Sequence, residues 1–129
     1  MSSAELMDPI VQAILELNPE RTAEVVGAAL QAGALPVEIV DEGIAPGMEG
    51  IGKSYLRQEA HLPELLMAEQ CMRSGLDVIE EVEGQAGTDL ADTARQRLSE
   101  RAASWMPALS FCVTRLLHSS DSFITTKEQ

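Results

Sequence analysis

The sequence predicts an all-α fold, a bundle of four to five short helices carrying a C-terminal appendage that is helical or irregular. Three observations carry that expectation. Apolar residues recur at helical spacing from Leu6 to Ile79, prolines and glycines sit where helices start and stop, and no strand-like alternation or long repeat occurs before Glu83. Only 3% of residues are aromatic while 45% are hydrophobic, so the core is built from aliphatic side chains, as bundles are.

The elements follow in order. Leu6, Ile10, Ala13, Ile14 and Leu17 form the stripe of an amphipathic first helix. Asn18 supplies a capping oxygen for the next helix, Pro19 suits its first position and Glu20 complements its dipole. Val25, Val26, Ala29 and Leu30 continue that helix towards a left-handed stop at Gly33. Leu35-Pro36 opens a third helix through Val37, Ile39, Val40 and Ile44. Pro46-Gly47 is expected to interrupt the helix and restart it, because proline cannot continue the hydrogen-bond ladder. Met48, Ile51, Tyr55 and Leu56 follow at helical spacing, with Gly43, Gly47, Gly50 and Gly52 as turn and packing residues. A polar elbow, Arg57 to Ala60, leads through His61-Leu62 to a last start at Pro63.

Residues 1–83 thus form one helical domain, and the composition changes at Glu83-Gly84. Gln85 to Thr88 reads as linker and Asp89 to Arg101 as a polar, weakly amphipathic helix. Trp105, Leu109, Cys112, Val113 and Leu116 form one more helical face, although Ala108 to Val113 fits a short strand equally well, and Ser119 to Gln129 is a frayed polar tail. The charge is just as uneven. Residues 1–83 hold 16 acidic and 4 basic side chains, whereas residues 84–129 hold 5 of each. Such an acidic surface repels phosphate backbones and excludes nucleic acid as partner; it serves solubility or steers a basic protein. No stretch is long and apolar enough to span a membrane, the start lacks a signal core, and Cys71 and Cys112 lack metal-like spacing, which together predict a soluble, cytoplasmic protein.

The helix opened by Pro63 has a wider apolar arc than one neighbour requires. With Leu62 at zero, Leu65, Met67, Ala68, Cys71, Met72, Leu76, Val78 and Ile79 fill about 180°, against roughly 100° for one-sided packing. A cofactor, another domain, a second copy or a central position in the bundle would each account for the surplus. Ala68, Cys71 and Gly75 would admit a flat ring or another backbone. His61 is either a polar elbow residue or a ligand or lid over a metal. No zinc-like ligand set, phosphate loop or nucleophile–base arrangement is present, so the sequence assigns no catalytic residue.

Glu42-Gly43-Ile44-Ala45-Pro46-Gly47-Met48, then Ile51-Gly52, then Leu62-Pro63-Glu64-Leu65 with Ala68 and Met72 form an ordered series. From Leu6 to Val82 the chain resembles the helical cap of corrinoid proteins for methylamine, methanol and methoxy-aromatic methyl transfer, and of methionine synthase. The resemblance implies a four-helix cap over the upper face of cobalamin, shielding a methyl–cobalt bond and swinging aside for a cognate methyltransferase. It places His61, Leu65, Ala68, Cys71 and Met72 at the cofactor, with His61 where the family has an aromatic ring, and makes the chain a component of a methyltransferase system with no catalysis of its own. Family members continue into an α/β domain whose Asp-x-His-x-x-Gly motif supplies the lower cobalt ligand; nothing after Glu83 resembles it. A truncated gene or a shifted frame would explain that loss, and cobalamin binding is then expected to be weak or absent. The competing expectation is a helical interaction module that forms a homodimer without cofactor. A cobalamin-dependent sensor finds no DNA-binding element to support it.

Overall fold

The computed structural model describes residues 3–86 and 90–102, and every regular element among them is helical. The helices are α1 (Ser3–Leu15), α2 (Pro19–Gln31), α3 (Pro36–Ile39), α4 (Ala45–Leu56), α5 (Leu62–Ala86) and α6 (Leu90–Ala102), with a π-helical turn over Val40–Ile44 joining α3 to α4. The sequence readings for Trp105, Cys112 and the polar tail lie outside the described residues.

Local chemistry sets the helix ends as the sequence implies. Asn18 caps α2, its Oδ1 accepting from the Arg21 N–H at 3.0 Å. At the other end Gly33 takes φ +101°, and the Gly33 and Ala34 N–H groups donate to the carbonyls of Leu30 and Ala29. That pair of bonds is the Schellman stop. Leu17 and Gln58 end α1 and α4 with the same bond pattern at φ +59° and +63°. Side-chain type does not announce those two stops, since neither residue is glycine.

Pro46 does not interrupt the helix. The chain stays helical from Pro36 to Leu56 because it widens into the π-turn just before the proline, where the Ala45 N–H donates to the carbonyl of Val40. A wider turn makes room for the pyrrolidine ring and absorbs the missing donor. The π-turn also brings glycines against α1. A Cβ at Gly43 would lie 3.0 Å from Ile10 Cγ2, and one at Gly47 would lie 2.9 Å from Ile14 Cβ. The Ile10 and Ile14 side chains of α1 therefore pack directly on the bare glycine backbone.

α5 lies at the centre of the bundle and packs against α1, α2, α4 and α6. Its surplus apolar arc is covered by the chain itself, because helices meet it from several directions. Leu65, Ala68, Cys71, Met72, Leu76 and Ile79 all belong to the core. Gly75 admits both the π-turn and α2: a Cβ there would come within 3.3 Å of Ile44 Cδ1 and 3.4 Å of Val26 Cγ2. Buried Thr22, whose hydroxyl donates to the Asn18 carbonyl at 2.8 Å, meets Cys71.

Helix α5 also runs through Glu83-Gly84 to Ala86. A lone glycine costs a helix only about 1 kcal/mol, so a change of composition there need not end it. Helix α6 folds back and buries Ala94 and Leu98 in the same core. Its arginines meet the acidic bundle: Arg97 and Arg101 both pair with Asp41 on the π-turn, and Arg95 pairs with Glu80 of α5.

The glycine contacts separate two outcomes. Gly47→Ala should lower stability by about 1–3 kcal/mol in urea unfolding, because the new methyl meets the branched carbon of a buried Ile14. Gly50→Ala meets only the Leu15 Cδ2 at 2.7 Å, the tip of an exposed side chain. It should be neutral or stabilising by up to about 1 kcal/mol through helix propensity.

Candidate functional site

The α4–α5 elbow carries the most exposed large apolar side chains among the described residues. Leu56 is 65% and Leu62 62% exposed, and Tyr55 and Leu66 join them within the same stretch of chain. Tyr55, Leu56, Gln58, Ala60 and His61 line an open recess of about 490 Å³. No aspartate or glutamate lines it.

Backbone devices hold this elbow. Gln58 closes α4 in the left-handed region, and the Glu59 N–H then donates to the Ser54 carbonyl at 2.8 Å. His61 is the N-cap of α5. Its N–H donates to Glu64 Oε1 at 2.8 Å, and its carbonyl accepts from the Glu64 and Leu65 N–H groups at 3.0 and 3.2 Å. The His61 main chain is thus fixed on both sides while its side chain is exposed. The His61 N–H is the main reason that the Glu64 carboxyl is held below its ordinary value of 4.5, followed by Glu64's own N–H and, more weakly, the His61 ring.

The residues expected at a cofactor separate into two layers. His61 stands at the surface of the elbow, whereas Leu65, Ala68, Cys71 and Met72 are fully enclosed in the core behind it. The physical reason is the crossing of α2 over the small-residue stripe, which supplies the second backbone that the stripe admits. Burial pushes the Cys71 thiol up, against a weaker opposing bond with Thr22. The exposed leucines escaped the arc argument. Leu62 and Leu66 lie at 0° and about 40° on the wheel, outside the arc, and this separation was the available signal. Among the described residues no group of three or more His, Cys, Asp or Glu side chains could hold a metal ion, and no helix is long and apolar enough to cross a membrane.

The class is that of all-α helical bundles, here with an α4–α5 elbow that exposes Tyr55, Leu56, Leu62 and Leu66 beside the ion-paired Arg57 and Glu59. Within that class, the chain belongs to the B12 binding domain family, whose match spans residues 6–80. It is 33% identical over 99 residues to monomethylamine corrinoid protein 1 of Methanosarcina acetivorans, covering 72% of this chain and 45% of that protein. It is 37% identical over 75 residues to the trimethylamine corrinoid protein of Methanosarcina barkeri, covering 58% of this chain and 35% of that protein. The chain therefore spans less than half the length of these relatives.

Two measurements check the site's construction. The Glu64 carboxylate is favoured in the folded state, so its contribution is complete above pH 4.5 and is lost as pH falls through the depressed folded value. The stability gap between the native chain and Glu64→Ala should therefore be constant near neutrality and shrink on acidification, as followed by helical circular dichroism. In a Cys112→Ser background, Cys71 should resist a water-soluble thiol reagent until the chain is unfolded; rapid labelling of the folded chain would contradict its enclosure.

Proposed function

We propose that this chain supplies the helical cap over the upper face of a corrinoid in a methyl-transfer system, working with a cognate methyltransferase. The family match over residues 6–80, joined to the exposed apolar side chains of the α4–α5 elbow, carries this reading. The chemistry of the elbow fits a flat, largely apolar macrocycle: Tyr55, Leu56, Leu62 and Leu66 offer area without charge, and His61 offers a second flat ring. When bound, the corrinoid carries a methyl group on its cobalt from donor to acceptor.

The chain's own residues bind, orient and exclude water. Leu56, Leu62 and Leu66 displace solvent from the covered face, and the His61 ring lies against it. Leu65, Ala68, Cys71 and Met72 act from beneath, as the packed layer that keeps the elbow in one shape. Gln58 and Glu64 set the direction in which the elbow points. One such face cannot enclose so large a cofactor, so the chain alone binds weakly and a second domain or partner completes the site.

Titration with methylcobalamin, followed by equilibrium dialysis, tests this. Saturable, weak binding is expected, and Leu62→Glu combined with Leu66→Glu should reduce it by at least about tenfold, since each leucine contributes roughly 1.5–3 kcal/mol when covered. Equal binding by the double variant would overturn the placement of the cofactor. If no binding occurs while sedimentation shows a concentration-dependent dimer that the same variant abolishes, the elbow is instead the interface of a cofactor-free interaction module.

A further inference from the structure

We infer that the His61 imidazole is an axial nitrogen donor to the cobalt of the covered corrinoid, engaged only when the upper cobalt position carries an exchangeable water. This rests on the corrinoid-cap reading above. Three features of the chain point to it, beginning with the donor itself. His61 lines the elbow recess, and its ring makes no hydrogen bond to any described residue. Both ring nitrogens are therefore open to a ligand from solvent, with the Glu64 carboxylate as the charged neighbour that acts on the ring.

The second feature is rigidity. Two main-chain groups of His61 make three hydrogen bonds to Glu64 and Leu65, so the chain on which the ring is mounted is already ordered before any ligand arrives. The third is the donor inventory. A metal held by protein alone needs three or four ligands, and the described residues offer no such group. A corrin already fills four equatorial positions, so one nitrogen suffices on its upper face. Cys71, the only described cysteine, is enclosed in the core and cannot compete.

The step is a ligand exchange. The cobalt–oxygen bond to water breaks, the imidazole lone pair forms a cobalt–nitrogen bond, and water leaves; cobalt stays in its +3 state and nothing is oxidised or reduced. A methyl group in the same position blocks it. His61 would then hold the cap on an unmethylated, oxidised corrinoid and release it from a methylated one.

The full chain is titrated with aquacobalamin and, separately, with methylcobalamin, using the native protein, His61→Phe and, as a control for the sequence's other histidine, which lies outside the described residues, His118→Ala. The expected result is a saturable shift of the aquacobalamin visible bands in the native and His118→Ala chains. His61→Phe should lose that shift and bind aquacobalamin at least about tenfold more weakly, while methylcobalamin, against which His61 serves only as a flat ring that Phe retains, loses much less affinity. Methylcobalamin binding by the native chain without any aquacobalamin shift would overturn the ligand assignment and leave the cap reading intact. Retention of the shift in His61→Phe would also overturn it. Failure of the native chain to bind either corrinoid would overturn both.

Discussion

The bundle depends on the close meeting of α2 with α5. Helix α5 carries apolar residues around half its circumference, which in water would be a liability, and the small residues Ala68, Cys71 and Gly75 turn that width into contact. Helix α2 comes near enough that Val26 and buried Thr22 lie against the stripe. With α5 held on that side, α1 and α4 cover it elsewhere, and α1 in turn closes on Gly43 and Gly47. Interiors packed this tightly do not deform gradually. A side chain added at either contact must therefore move a helix, and the geometry of the elbow would move with it.

The elbow owes its form to the main chain more than to side-chain packing. Helix α4 stops at a left-handed Gln58 and α5 starts on a capping bond from His61 to Glu64. Between them only Ala60 is buried. Large apolar residues on both sides can then remain exposed without collapsing onto one another, since the helices bearing them are anchored in the core. A surface of this kind is rigid beneath and apolar outside. It can cover an apolar ligand without first paying the entropy of ordering itself.

The uneven charge of the sequence has a local structural counterpart. Three arginines of α6 are spent on Asp41 and Glu80, two carboxylates of the acidic segment. Exposed ion pairs contribute only about 0–1 kcal/mol each, so Leu98 and Ala94 must supply much of the attachment. The pairs fix register instead: Asp41 receives Arg97 and Arg101, one helical turn apart, and only one placement of α6 along the π-turn satisfies both. Much of the acidity that remains is surface charge, consistent with repulsion of polyanions and silent about any basic partner.

Periodicity made the helices and most of the core legible, and Asn18, Gly33 and the Leu-Pro pairs marked several ends correctly. What it missed has physical causes. A π-turn has no residue signature, so Pro46 looked like a break; Leu17 and Gln58 adopt a conformation that only glycine advertises. For the candidate residues, position along α5 was legible but depth was not. Helical spacing shows which residues share a face, yet whether that face meets another helix or solvent is decided by residues distant in sequence, here Thr22 and Val26. Leu65, Ala68, Cys71 and Met72 therefore read as open while Leu62 and Leu66, two leucines off the main arc, drew no attention. An apolar residue inside the arc has neighbours to satisfy it. One outside the arc is the better mark of a surface kept for something else.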